Sequence, residues 1–237
     1  MRKGTEMIGI IAAMKAEIES VKSEMTEKVV EYHSGIEFVI GVFRGQQVVV
    51  AQCGIGKVFA AMCAQTMILL YKPDVIINTG VGGSLSTELS VGDIAISESV
   101  VQHDMDTSPL GDPVGLVSGI NVVYFPADKQ VCNGLVKSAE SLSLNCKLGV
   151  IASGDQFIAS REKKNSIKSN FSAIACEMEG AAIGHVCYVN NVPFAVIRAI
   201  SDSADDSSSM DYGEFLVLAA ERSFGVLAGF VESYSIA

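Results

Sequence analysis

The sequence predicts an α/β fold in which helices wrap a mainly parallel or mixed sheet. Two observations carry that prediction. Short runs rich in Ile and Val recur at 8–11, 48–52, 75–78, 94–97, 150–153 and 194–200, each ending in small or polar residues. Continuous apolar runs of this length suit strands covered on both faces. Segments with helical spacing lie between some of them, at 57–70, 178–188 and 214–231. In the first of these, Val58, Met62, Ile68 and Leu69 share the apolar positions, and only Gln65 interrupts them. Alternating strand and helix imply a sheet covered by helices. Ligands in such folds sit at the carboxyl ends of the strands. The residues just after each run are therefore the informative ones.

Composition sets the bounds. The chain has 237 residues, 49% hydrophobic and 19% charged, which is enough apolar surface for a large core. No linker, repeat or low-complexity stretch divides it. We expect a loose extension over residues 1–6 and one domain over 7–237. The formal charge of −10 disfavours nucleic acid as a partner but not a small neutral ligand. Six cysteines occur without a CxxC pair and the three histidines are scattered, so buried free thiols are expected rather than a zinc site or disulfide framework. No stretch has the length and apolarity of a membrane span or a signal core, so a cytoplasmic location is expected. The segment 103–126 is rich in Asp, Gly, Pro and Ser and reads as a long loop.

The strand ends follow in order. After the first run, Glu17 stands at the opening of a helix; the helix dipole alone would account for a first-turn glutamate. After the second comes Cys53-Gly54-Ile55-Gly56-Lys57, which lacks the residues of a phosphate loop: Ala51 stands where the first glycine belongs, and Val58 where Ser or Thr belongs. A tight strand-to-helix turn is the reading there. After the third, Gly80-Val81-Gly82-Gly83-Ser84-Leu85 departs from a dinucleotide fingerprint at Leu85, but its glycines let backbone approach a ligand closely.

Ser153-Gly154-Asp155-Gln156-Phe157-Ile158 follows another run, the fifth. Core packing and stacking on a flat heterocycle are both open to Phe157. Glu177-Met178-Glu179 follows the apolar stretch 173–176. These glutamates could be solvated residues of a helix start, but a carboxylate is also well suited to accept hydrogen bonds from a sugar diol. The last run ends Arg198-Ala199-Ile200-Ser201-Asp202. An arginine inside an apolar strand needs a charged partner. A desolvated Asp202 carboxyl would have a raised pKa and could act as an acid.

Taken together, these segments resemble the methylthioadenosine/S-adenosylhomocysteine nucleosidases of the nucleoside phosphorylase superfamily. The matching stretches are Ile8-Gly9-Ile10-Ile11-Ala12-Ala13-Met14 with Glu17, Gly54-Ile55-Gly56-Lys57, Asp74-Val75-Ile76-Ile77-Asn78-Thr79-Gly80, Val91-Gly92-Asp93-Ile94, Ser153-Gly154-Asp155 with Phe157, Glu177-Met178-Glu179, and Arg198 to Asp202. The resemblance implies a three-layer α/β/α sandwich with a mixed, barrel-like central sheet, a homodimer and no cofactor or metal. It implies hydrolysis of the N-glycosidic bond of adenine nucleosides carrying a 5′-thio substituent, and of 5′-deoxyadenosine, in methionine salvage and the methyl cycle.

It also implies residue roles. Asp202 would protonate adenine N7, and Glu17 would position and deprotonate water. Glu179 would hold the ribose diol with Met178 against the sugar. Phe157 would stack on adenine while Ile158 offers backbone hydrogen bonds. Arg198 and Ser201 would support the water and the acid. Met14, Ile55 and Tyr212 would line an apolar 5′ pocket, closed by part of the partner's long loop. Val81 stands where the family often has a small hydroxyl residue near the sugar, and the backbone of Gly80 or Gly82 is the substitute on offer.

Two other functions fit the sequence less well. A phosphorylase needs cationic groups beside the sugar. The five arginines of this chain leave residues 12–19 without one, and Glu17 would repel phosphate. A silent nucleoside sensor would be expected to have lost its acid or base, yet Glu17, Glu179 and Asp202 are all present.

Overall fold

Each of the six apolar runs forms a strand, and most of these strands extend beyond the run. The computed structural model describes residues 7–204 and 208–234; the expected extension over residues 1–6 lies outside them. In chain order the elements are β1 (Met7–Ala12), α1 (Lys15–Glu24), β2 (Thr26–His33), β3 (Ile36–Phe43), β4 (Gln46–Gln52), α2 (Lys57–Tyr71), β5 (Val75–Ser84), β6 (Ile94–Gln102), β7 (Phe125–Pro126), α3 (Lys129–Ser141), β8 (Cys146–Ser153), α4 (Arg161–Phe171), β9 (Ala175–Glu177), α5 (Gly180–Asn190), β10 (Phe194–Asp202) and α6 (Ser208–Ser233).

The sheet runs β10-β6-β8-β9-β5-β1-β4-β3-β2, and β10 also pairs with β5. That pairing closes five strands into a barrel, and β1, β4, β3 and β2 continue outward as an open wing. Pairing is mixed: β1 is parallel to β4 and β5, whereas β10 is antiparallel to β6. Helices α1, α3 and α6 pack on one side and α2 with α5 on the other, which completes the three layers. The core runs across all of them, from Ile10 and Val50 in the wing to Ile96, Ile151 and Ile197 in the barrel.

Two features of this topology build the site. Strand β5 continues through Gly80-Val81-Gly82-Gly83 to Ser84, buried throughout, where the sequence reading ended the strand at 78. Its glycine-rich half stays extended because it pairs with β10 along its length and with β9 at its end. Strand β10 then loses register against β5 between Ile200 and Asp202. A bulge of this kind re-aims the side chain that follows it, and here that residue is Asp202.

The expected long loop contains a short 3-10 turn at Ser108–Leu110 and a bridge from Val117 to Val122, and ends in β7. The cysteines are free, and five of the six are buried. Among the described residues no helix is long and apolar enough to cross a membrane.

Candidate active site

A cavity of about 300 Å³ opens at the carboxyl ends of β1, β5, β9 and β10. Its lining includes Met14, Glu17, Ile55, Gly82, Phe157 and Ile158. Met178, Glu179, Ser201, Asp202 and Tyr212 bring the lining to eleven of the twelve residues predicted from sequence. Arg198 is not in the lining; it lies beneath it, 1% exposed.

Glu17 is the third residue of α1, and it reaches back over the start of its own helix. Oε2 accepts from the amides of Ala13 and Met14 at 3.1 and 2.9 Å, and Oε1 accepts from Val81 N at 3.0 Å. It therefore caps the helix, as a first-turn glutamate would, yet it is buried and faces the cavity. Burial pushes its carboxyl above the usual range, against the pull of Arg198 and the three amides. Its approach to β5 requires glycine, because a Cβ at Gly80 would meet Oε1 at 2.7 Å.

Asp202 lies at the other end of the same stretch of β5. Oδ2 accepts from Ser201 Oγ at 2.9 Å and Oδ1 from Ala204 N at 2.8 Å. A Cβ at Gly83 would stand 2.8 Å from Oδ1. Gly80 and Gly83 thus admit one carboxyl group each, three residues apart. At ~3.3 Å per residue that separates the two approaches by about 10 Å along the strand.

Arg198 finds the charged partner that the sequence required. Its Nη2 donates to Glu177 Oε2 and to Asn78 Oδ1 (2.5 Å), and its Nη1 to the carbonyls of Ile197 and Asn78 (2.9 and 3.3 Å). Glu177 also accepts from the amides of Glu179 and Gly180 at 3.0 and 2.7 Å, and from Ser153 Oγ. This buried knot fixes the first turn of α5, and with it Glu179. Sequence reasoning placed Glu177 in the motif but gave it no role. The requirement of Arg198 for a counter-charge was the signal that could have found it.

Replacing Arg198 with Met would leave buried carboxylates uncompensated, at a cost of about 3–5 kcal/mol. The expected fall in Tm is roughly 6–20 °C for a chain of this length. Thermal unfolding of Arg198→Met checks this, and an unchanged Tm would refute the structural role.

Glu179 follows directly. Oε1 accepts from Gly56 N at 2.8 Å, and Oε2 lies 3.8 Å from Arg198 Nη2. Burial, and then the neighbouring Glu177 carboxylate, push it up to about 7, while Arg198 and the Gly56 amide pull the other way.

The mouth is apolar. Phe157 and Tyr212 meet edge to face at 5.6 Å, with Phe157 still 48% exposed. The Tyr212 hydroxyl is spent on Met14 Sδ at 3.1 Å. Ile158 is buried and Ile55 lies open at the rim. The Gly54-Ile55-Gly56-Lys57 turn holds carboxylates in place of a phosphate: Gly56 N donates to Glu179 and Lys57 N to Asp155 Oδ1. No His, Cys, Asp and Glu group among the described residues is arranged to hold a metal ion.

A model of the phosphorylase superfamily matches residues 7–232. A 5′-methylthioadenosine/S-adenosylhomocysteine nucleosidase of Staphylococcus aureus is 40% identical over 92% of this chain and 95% of its own. The crystal structure of the Neisseria meningitidis enzyme of the same name, in complex with methylthio-immucillin-A, superposes with a TM-score of 0.93 at 33% identity, over 97% of this chain and all of that one. A futalosine hydrolase of Helicobacter pylori superposes with the same score and identity, over 97% of this chain and 99% of its own.

Proposed function

We propose that this chain, which belongs to the methylthioadenosine/S-adenosylhomocysteine nucleosidase family of the phosphorylase superfamily, hydrolyses the N-glycosidic bond of 5′-methylthioadenosine, S-adenosylhomocysteine and 5′-deoxyadenosine. The products are adenine and the 5-substituted ribose, which places the enzyme in methionine salvage and the methyl cycle. One observation carries the reading: two buried carboxyl groups, Glu17 and Asp202, face a single apolar cavity beside Gly80 and Gly83 of β5.

Adenine leaves poorly as an anion and well once N7 is protonated, and its departure leaves an oxocarbenium-like sugar. Asp202 supplies the proton, held in place by the Ser201 hydroxyl and the Ala204 amide. Glu17 takes a proton from the attacking water. A base whose pKa is raised toward the working pH accepts that proton more readily. Glu179 accepts from the ribose hydroxyls, and Met178 packs on the sugar. Phe157 stacks on the base, and Ile158 contacts it through backbone.

Hydrolysis is favoured over phosphorolysis because the described lining contains no Lys or Arg. The guanidinium of Arg198 is already engaged by Glu177 and Asn78. The futalosine hydrolase likeness, with a rim left open at Ile55, supports a second reading in which bulkier 5′ substituents are accepted. Competition between futalosine and 5′-methylthioadenosine separates the two.

The 5′ end of the substrate would lie among Met14, Ile55, Met178 and Tyr212. With the Tyr212 hydroxyl donating to Met14 Sδ, a 5′-hydroxyl finds only that phenolic oxygen as an acceptor among these four side chains and is left partly unpaired. An unpaired hydroxyl costs ~1–3 kcal/mol and each buried methyl-sized group gains ~0.8 kcal/mol. The expected kcat/KM for 5′-methylthioadenosine exceeds that for adenosine roughly 20–600-fold. Steady-state kinetics with both substrates test this, and equal efficiencies would remove the apolar 5′ pocket from the account.

A cytoplasmic homodimer belongs to the same proposal. The outer face of α2 exposes Val58, Phe59, Met62 and Leu69, and the adjacent α5 exposes Tyr188 and Val189, beside the cavity mouth at Ile55. An apolar face of this extent marks an interface. Leu110 in the long loop is 83% exposed and available to a partner's cavity. Light scattering across a dilution series reads the oligomeric state.

A further inference from the structure

Three charged residues outside the cavity form a closed ring. Lys57 opens α2, Asp104 follows β6 and Asp155 follows β8. Asp104 Oδ1 pairs with Lys57 Nζ at 2.6 Å, and its Oδ2 accepts from Asp155 N at 2.9 Å. Asp155 Oδ1 accepts from Lys57 N at 2.8 Å, which closes the loop. The ion pair is shielded, with both side chains under a fifth exposed, and Gln102 Oε1 also accepts from Lys57 Nζ at 3.3 Å.

The ring points inward at one place. Gly56, next to Lys57, donates its amide to Glu179 Oε1 at 2.8 Å. Capping alone does not explain the arrangement, since a Ser or Asp at the N-cap would satisfy the first turn of α2 locally. The N-cap is instead Gly56 at φ +99°, a conformation other residues rarely adopt, and a Cβ there would meet Asp155 Oδ1 at 3.1 Å. The cap is supplied by Asp155 from a separate segment. The same segment continues into Gln156, Phe157 and Ile158, which line the base side of the cavity.

We infer that Lys57, Asp104 and Asp155 are positioning residues: their ring holds the start of α2 so that the Gly56 amide seats Glu179 under the ribose diol, in register with the base-binding loop. The inference rests on the proposed role of Glu179 as diol acceptor. Misplacement of a binding group by about 1 Å costs on the order of 10²-fold in efficiency.

The test measures kcat and KM of the wild type, Asp104→Asn, Lys57→Met and Lys57→Arg on 5′-methylthioadenosine and its 2′-deoxy analogue, with Glu179→Gln as reference. Asp104→Asn and Lys57→Met are expected to lose about 10–10²-fold in kcat/KM on the riboside. They should also shrink the preference for riboside over deoxyriboside about tenfold, in the same direction as Glu179→Gln, because one charge-assisted hydrogen bond is misplaced. Lys57→Arg, which keeps the charge, restores most of that preference. If either disabling variant fails to fold, the other carries the comparison. Equal losses on both substrates, or wild-type kinetics in the disabling variants, would overturn the inference alone. A wild type that releases adenine from neither substrate would overturn the functional reading, and this inference with it.

Discussion

Asp202→Asn is expected to lower kcat about 10²–10⁴-fold, the usual weight of a general acid, with the fold and substrate affinity retained. The substitution is nearly isosteric. Ser201 Oγ and Ala204 N both donate to the present carboxylate. The amide oxygen can keep the bond from Ala204 N, and the Ser201 hydroxyl can donate instead to the carbonyl of Gly82, 3.4 Å away. The missing property is a transferable proton at adenine N7. The bulge between Ile200 and Asp202 holds the side chain in the cavity whichever residue stands there. Single-turnover adenine release, with binding measured by calorimetry, separates chemistry from affinity. Near wild-type turnover in a folded variant would end the acid assignment.

Glu17→Gln is expected to cost a similar ~10²–10⁴-fold in turnover and, unlike the first, some stability. Both oxygens of Glu17 accept from backbone amides: Ala13 and Met14 on one, Val81 on the other. A glutamine has one accepting oxygen, so at least one buried amide loses its partner at about 1–3 kcal/mol. A lowered Tm with substrate still bound and adenine unreleased is the expected combination. With Glu17 acting on water, as proposed, the nucleoside should bind nearly as before. Lost binding with normal turnover of what does bind would reassign Glu17 to substrate recognition.

The fold was legible where burial on both faces writes a continuous apolar run. β1, β4, β6, β8 and β10 are such strands, and their ends pointed to Glu17, Ser153 and Asp202. β2 escaped because its sequence, Thr-Glu-Lys-Val-Val-Glu-Tyr-His, is almost wholly exposed and has no core-facing run. The turns on either side of β3 were readable in principle: Ser34-Gly35 and Arg44-Gly45 take positive φ at both residues, as two-residue hairpin turns require. α4 likewise carries its signal in its cap, Ser160, rather than in a strong apolar stripe, whereas α3 carries both, a cap at Asp128 and a buried stripe of Val131, Cys132, Leu135 and Ala139.

At the site, eleven of the twelve predicted residues line one cavity, ten of them within a strand's carboxyl end or in the segment that follows it, and Tyr212 from α6. Arg198 is the exception for a physical reason: an arginine within a central strand points between layers, where Glu177 and Asn78 neutralise and orient it. The Lys57–Asp104–Asp155 ring was illegible, because three residues from three loops show no spacing that predicts their meeting. Val81 contributes its amide to Glu17, a contact that any side chain at that position would allow.

The most direct measurement incubates the wild type with 5′-methylthioadenosine in ¹⁸O-labelled water, with and without inorganic phosphate, and identifies the products by mass spectrometry. The expected products are adenine and 5-methylthioribose carrying one ¹⁸O at the anomeric hydroxyl, at a rate that phosphate leaves unchanged. Turnover that requires phosphate and yields unlabelled 5-methylthioribose 1-phosphate would contradict hydrolysis.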